Sequence, residues 1–477
     1  MKRLKLFVLV VVSLLLVGLI TVAGYSVFNQ KPFYVGVTYC GGSVEEAKEL
    51  IDKVKDYTNL FVLQSGSLHD NATAMEEIGD YAVASKMSYA VYGTVSDFGG
   101  LSTQALSSWL IEAKERWGAH FIGVYFGDEH GGKMLDRDID FGNMAFQSDD
   151  DTIFHYFQND TVRVMKNGYG GEIKVFTNRA NVVYRLNGVI YLSIHEGYVI
   201  YYYPDGAITA YKPDWGSESI SYTSENITLF PLPLPSYEEL LKQNPVRTYD
   251  DAARVFVDWN KGFFDAINKE QLDKKDVSVF TADYGLYWWD YQSGYDLVLA
   301  ELGWNNSIVQ EIGLVRGAAN LQNKQWGTII TWKYTQPPYL AGGQEMFEQM
   351  KTSYETGAQY VIIFNYSEDQ LNPNILQEEH FQALERFWNE VVQNPLIVHG
   401  HIKAEAALVL PKNYGWGMRN PTDNVWGIWR EDGISQEIWS QLESKIDQYG
   451  LKLDIVFEDS NYPVTGKYSN IYYWNQK

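Results

Sequence analysis

From residue 32 onward, short apolar runs alternate with amphipathic segments, and this alternation predicts the fold. Residues 33–37 read as a first strand. Ser43 and Glu46 then form a capping box ahead of a helical face made by Ala47, Leu50, Ile51 and Val54. Residues 60–63 and 89–92 read as the second and third strands, with a helix over 72–85 between them. Ala105, Leu106, Trp109, Leu110 and Ala113 mark another helix, which ends at Gly118. The fourth strand, 121–125, runs into a glycine-rich turn that carries Asp128, Glu129 and His130.

The alternation stops there and resumes beyond residue 248. A helix is predicted over 249–269, then strands over 277–280 and 295–301, separated only by an aromatic turn with Tyr287, Trp288 and Trp289. A helix over 306–321, a strand over 327–332, a helix over 344–356, a strand over 360–364 and a helix over 377–393 complete the series. Eight strands alternating with helices predict an α/β fold, a (β/α)8 TIM-type barrel built from 31–132 and 236–395. The short connection between the fifth and sixth strands leaves an open doubly wound sheet as the alternative.

Three further segments complete the expected organisation. Residues 133–235 read as a β-rich insertion after strand four. Its hairpin strands fall at 172–176, 189–192, 198–203 and 207–211, with turns at Asn187-Gly188, Glu196-Gly197 and Asp205-Gly206. Pro231, Pro233 and Pro235 make a stiff exit from it. Residues 396–477 read as a small α/β module, with strands at 406–410, 453–457 and 470–473, a helix at 435–448 and an aromatic loop from Tyr414 to Arg419. Residues 1–30 join a basic flank (Lys2, Arg3, Lys5) to an uncharged apolar stretch from Leu6 to Tyr25. That length suits a bilayer core, so an uncleaved transmembrane signal-anchor is expected, with the bulk of the chain extracytoplasmic. Thr21-Val22-Ala23 leaves room for cleavage by a signal peptidase. Asn-x-Ser/Thr triplets at Asn71, Asn159, Asn226, Asn305 and Asn365 fit an exported glycoprotein.

Composition narrows the class. Hydrophobic residues at 45% and charged residues at 21% describe a folded chain. A net charge of −22 excludes a nucleic-acid partner, because a phosphate backbone would be repelled. The single cysteine, Cys40, excludes a disulfide framework. Aromatics reach 15%, a share that suits a large core and also sugar-binding surfaces.

In a barrel the chemistry sits at the C-terminal ends of the strands. Asp128 and Glu129 fall after strand four, Asp283 and Tyr284 after strand five, and Glu301 at the end of strand six. Trp332, Lys333 and Tyr334 fall after strand seven. Glycoside hydrolysis needs two carboxyl groups facing one bond, one of them kept protonated. Glu129 and Glu301 are the expected pair, with Asp128 tuning Glu129. Asp283, Tyr284, Lys333 and Tyr334 are expected at the ligand, with Trp288, Trp289 and Trp332 stacking on sugar rings. Each has a structural counterpart. Asp128-Glu129 is also what a solvated turn or a helix cap looks like. Glu301 is within reach of Arg316 on the next helix, and Asp283 suits a turn. Lys333 would form a Schiff base only if desolvated. Asp136, Asp138 and Asp140 resemble a calcium loop but lack its sixth-position glycine and twelfth-position glutamate, so neither metal nor cofactor is expected.

The segments Gly123 to Glu129, Asp296 to Glu301 and Trp326 to Trp332 resemble the glycoside-hydrolase barrel superfamily. The resemblance covers roughly 32–395 and is one of architecture. It implies a carbohydrate substrate and, as in the α-galactosidase clan, acids after strands four and six. The chain departs from the cellulase-like clan, because strand seven ends in Lys333 where that clan has an acid. The tail resembles the truncated Rossmann-like module that follows the barrel in some β-galactosidases, which implies a role in shaping the barrel or in forming a homo-oligomer. The main alternative is a non-catalytic glycan-binding or cell-envelope surface protein. A lyase or metal-dependent hydrolase on the same scaffold is the third.

Overall fold

The computed structural model describes residues 32–69, 71–93, 103–131, 248–367, 374–427 and 431–476, together with the backbone of nine strands between 145 and 222. Eight parallel strands close into a barrel: β1 (Tyr34–Tyr39), β2 (Leu60–Leu63), β3 (Ser88–Gly93), β4 (Phe121–Phe126), β14 (Ser278–Asp283), β15 (Leu297–Leu302), β16 (Gln325–Ile330) and β17 (Tyr360–Ile363). Closure is direct, since β1 pairs with both β2 and β17. The open-sheet alternative therefore falls.

The barrel fills itself from both sides of its strands. Leu60, Val62, Ala90, Ile122, Tyr125, Phe280, Ala282, Leu297, Leu299, Ile329, Tyr360 and Ile362 form one buried cluster. These positions alternate with Val35, Val37, Phe61, Val91, Val124, Val279, Val298 and Val361, which pack with the helices in a second cluster. Helix α1 (Val44–Val54) buries Ala47, Leu50, Ile51 and Val54, as its periodicity predicts. Its capping box is only half formed. Ser43 accepts from the Glu46 N–H at 3.3 Å, but the Glu46 carboxylate takes the Tyr39 hydroxyl at 2.9 Å instead of the Ser43 N–H. The outer ring continues with α2 (Ala72–Ala84), α3 (Thr103–Trp117), α4 (Tyr249–Ala266) and α5 (Lys269–Lys274).

The fifth-to-sixth crossover is a short helix, α6 (Tyr287–Ser293), where the sequence suggested a turn. It carries no amphipathic signal because almost every residue in it is buried. Helices α7 (Ile308–Gln322), α8 (Gly343–Thr356) and α9 (Glu378–Phe387) complete the ring.

The cover over α6 and α7 is the C-terminal segment. Strands β18 (Ala406–Leu410), β19 (Leu453–Phe457) and β20 (Asn470–Tyr473) form a parallel sheet in the order β19-β18-β20, with helix α10 (Ser435–Tyr449) between β18 and β19. Trp288 packs against Phe457 with ring centres 5.6 Å apart, and Trp289 against Trp426 at 4.6 Å. Arg316 on α7 reaches Asp454 on β19 at 2.7 Å, both side chains buried.

Strands β5 (Ala145–Gln147), β6 (Thr152–Tyr156), β7 (Thr161–Lys166), β8 (Ile173–Asn178), β9 (Asn181–Leu186), β10 (Val189–Ile194), β11 (Tyr198–Tyr202), β12 (Ile208–Tyr211) and β13 (Ser219–Tyr222) form one sheet paired in sequence order. Every neighbouring pair is antiparallel. Four of these nine, β8, β10, β11 and β12, coincide with the hairpin strands expected from the sequence. The acidic run Asp136 to Asp140, the proline run 231–235 and the apolar segment 1–30 lie outside the described residues. Among the described residues, no helix is long and apolar enough to cross a membrane.

Candidate active site

The β4 exit is shaped by close backbone approach. Gly123 has φ +148°, and a Cβ there would stand 2.0 Å from the Ser278 carbonyl oxygen on β14. Only glycine permits this contact, which draws β4 against β14 just before the chain leaves the barrel. Tyr125 donates its hydroxyl to Asp128. Glu129 has a left-handed backbone, φ +51°, and its N–H donates to the Ala282 carbonyl at 3.0 Å. His130 is buried, with Nε2 3.1 Å from the Tyr295 hydroxyl, which itself donates to the Phe126 carbonyl at 2.9 Å. The acidic turn is thus built into the barrel rim rather than left in solvent.

Strands β14 and β15 bring the partners. Tyr284 donates its hydroxyl to Glu129 Oε1 at 3.1 Å. Burial, reinforced by Glu301 and Glu129, raises the Tyr284 phenol, so it stays a donor. Glu301 is 3% exposed and does not pair with Arg316, which is committed to Asp454. Desolvation raises the Glu301 carboxyl well above the ordinary range, and the charges of Glu129, Asp128 and Asp283 push it further. The Tyr284 hydroxyl opposes this in part. Glu301 Oε2 is buried with no hydrogen-bond partner among the described residues. Asp128, Glu129 and Glu301 therefore belong to one electrostatic cluster, in which burial and the neighbouring charges drive Glu301 toward its neutral form.

A cleft of about 640 Å³ opens over this cluster. Glu129 and Tyr284 line it, with Trp304, Trp332, Phe364 and Tyr366 as aromatic walls. The Trp332 and Tyr366 rings are nearly parallel, 3° apart in plane with centres 5.8 Å apart, and Trp332 Nε1 donates to the Tyr366 carbonyl at 2.9 Å. Arg419 enters the lining from the C-terminal segment and is held by Asp423 through Nε at 2.9 Å and a terminal nitrogen at 2.8 Å. Trp304, Phe364, Tyr366 and Arg419 are absent from the predicted site. The first three have a readable signal, an aromatic just past a barrel strand; Arg419 has none, because only the tertiary fold brings it there.

Several predicted ligand contacts are corrected. Trp288 and Trp289 are 1% and 0% exposed and pack beneath the C-terminal sheet, so neither ring can stack on a sugar. Asp283 is fully buried and accepts the backbone N–H groups of Gly131 at 2.6 Å and Tyr284 at 2.7 Å, so it cannot reach a ligand. Lys333 contacts both Glu345 oxygens, at 2.9 and 2.7 Å, and that pairing raises its ammonium, which rules out a neutral Schiff-base amine in this arrangement. With Tyr334 it lines an adjoining pocket of about 480 Å³ that shares Trp304 with the main cleft. Asn365 is fully buried and bonded to Asn374, so it is no glycosylation acceptor in the folded chain.

No protein-family model matches the chain, and no curated protein sequence matches it. Among solved structures it is similar to a GH5-4 broad-specificity endoglucanase from Clostridium longisporum, at 11% identity and a TM-score of 0.31, over 72% of this chain and 86% of that one. It is also similar to the pneumococcal virulence factor StrH, described for N-glycan recognition and hydrolysis, at 9% identity and a TM-score of 0.30, over 75% and 82% of the two chains. The barrel stands on its strand pairing, independently of these similarities.

Proposed function

We propose that the chain is a glycoside-hydrolase-like protein that acts on carbohydrate through Glu129 and Glu301. The observation that carries this reading is Glu301: a buried carboxyl with a free Oε2, raised by desolvation and by neighbouring acids. A carboxylic acid kept neutral beside a carboxylate is what glycosidic bond cleavage requires. In this reading Glu301 supplies the proton and Glu129, at the cleft wall, acts as nucleophile or base. Tyr284 acts on both carboxyls. A separation of the two of about 5–5.5 Å goes with a retaining mechanism and one of about 6.5–9.5 Å with an inverting one, and the anomeric configuration of the first product distinguishes them. Trp304, Trp332 and Tyr366 would stack on sugar faces. Release of reducing ends from a panel of glycosides and polysaccharides tests the reading; a protein that releases none from any member is not this enzyme.

The burial of Glu301 favours a second reading, a cleft that binds glycans without cleaving them. Titration of the same panel by calorimetry, with binding but no turnover, would select it.

We further propose that residues 1–30 anchor the protein in a membrane with the barrel outside the cytoplasm. The basic flank and uncharged apolar run support this. Retention of the full chain in carbonate-washed membranes, lost on deletion of 1–30, is the expected result; release of the full chain by carbonate contradicts it.

A further inference from the structure

A second acidic contact, between residues outside the cleft lining, bears on the proposed chemistry through the charge of Asp283 on Glu301. Asp290 on α6 and Asp283 at the end of β14 are both fully buried. Neither oxygen of Asp290 receives a hydrogen bond from any donor among the described residues. The side chain that acts on it, by charge and by hydrogen bonding, is another acceptor, the Asp283 carboxyl. Two buried carboxylates in contact cannot both stay charged, so one proton must lie between them. Its location follows from the other partners. Asp283 accepts two backbone N–H groups, from Gly131 and Tyr284, which favour its ionised form. Asp290 has no such support. We propose that Asp290 is held as the neutral acid and donates its O–H to the Asp283 carboxylate, and that this pair anchors the turn carrying Glu129 and the strand end carrying Tyr284.

The anchor is specific in its geometry. A Cβ on Gly131 would lie 2.4 Å from Asp283 Oδ1, so the carboxylate sits where only glycine leaves room. Asp283 thereby ties residue 131, two beyond Glu129, to residue 284, whose hydroxyl donates to Glu129. The groups facing the pair are mostly acids and phenols. Asp283 is the charged group acting on Asp290, and Tyr291 and Tyr295 lie beside Asp290. Glu301, Glu311 and Tyr287 feel Asp283. Desolvation, with the Asp283 charge second, raises the Asp290 carboxyl well above its ordinary value. What the anchored turn does to a substrate rests on the reading proposed above; the anchoring does not.

Asp290→Asn and Asp290→Leu test the proposal without any substrate. The sign is fixed by linkage. A carboxyl raised by folding contributes stability that is complete below its unfolded pKa of about 3.9 and is lost as pH rises through its folded pKa. In that window the wild-type unfolding constant gains up to about tenfold per pH unit from this one group. The amide introduced by Asp290→Asn does not titrate, so the stability of that variant relative to wild type should climb with pH from about 4 upward. The amide can still donate to Asp283, so slow hydrogen exchange at the Gly131 and Tyr284 N–H groups should persist. In Asp290→Leu that protection should fall by about tenfold or more, since a lost hydrogen bond to a charged group is worth about that factor. Parallel pH–stability curves for wild type and Asp290→Asn would overturn the placement of the proton. Unchanged protection of both N–H groups in folded Asp290→Leu would overturn the anchoring role; should Asp290→Leu not fold, loss of protection in Asp290→Asn would do so.

Discussion

The Tyr284 hydroxyl donates to Glu129 Oε1 at 3.1 Å and faces the buried carboxyl of Glu301 on its other side. One phenol, just past the end of β14, thus serves two acids from the strands that flank it, β4 and β15. Its O–H stabilises negative charge on Glu129. Tyr284→Phe removes the hydrogen bond and keeps the ring. A bond to a charged acceptor contributes about 1.5–3 kcal/mol. If that difference is expressed in the transition state, kcat falls by about tenfold to a hundredfold. Steady-state kinetics on the best substrate of the panel check this, with circular dichroism to confirm folding; an unchanged kcat removes Tyr284 from the mechanism.

Glu301 gives a pH signature in both rate and stability. As the proton donor it is active below its raised pKa, so the rate should decline on the alkaline side as Glu301 ionises, and Glu301→Gln should lose that limb together with most of the activity. For stability, a carboxyl raised by folding contributes fully below its unfolded pKa of about 4.3, and the contribution fades as pH rises toward the folded value. Glu301→Gln should therefore gain stability over wild type as pH increases. Thermal melts from about pH 4 to about pH 9 measure it, and a constant difference across that range would mean that Glu301 is not raised.

The aromatic residues divide into two groups by burial, and mutation should separate them. Trp289→Ala opens a cavity between α6 and the C-terminal sheet and should cost about 3–5 kcal/mol of stability. Trp332 lines the cleft and is only partly buried, so Trp332→Ala should cost less stability than Trp289→Ala and weaken carbohydrate binding. Denaturant titration and calorimetric binding distinguish the two; the reverse pattern would restore Trp289 to the ligand site.

Arg316 and Asp454 tie the barrel to the C-terminal sheet through a buried ion pair, and Arg316 also donates to the Leu451 and Leu453 carbonyls. Removing one partner leaves a buried charge, so Asp454→Leu should destabilise the chain by about 3–5 kcal/mol. Limited proteolysis should then cut first within 396–477. Wild-type resistance in folded Asp454→Leu would show that the pair does not fasten the sheet.

The barrel was legible because its strands are buried apolar runs separated by amphipathic helices, and the strand ends located Glu129 and Glu301. The same logic failed at Trp288 and Trp289. Past a barrel strand, an aromatic reads as a ligand platform unless something covers it, and the cover here is Phe457 and Trp426, far along the chain. Asp283 was placed at the right strand end, but its two backbone donors turn it inward, away from the cleft. Helix α6 hid because a fully buried short helix has no polar face to give it a period. Arg419 carries no local pattern, since tertiary packing alone brings it to the cleft, and Asp290 carries none because its short helix is buried on nearly every side.

In the proposed reaction the two carboxyls act together. Initial rates of wild type, Glu129→Gln and Glu301→Gln on the same glycoside, with all three shown to be folded, test this directly. Both substitutions should lower kcat by about a hundredfold to ten-thousandfold, the range a positioned acid or base contributes. Wild-type turnover in either variant would contradict it.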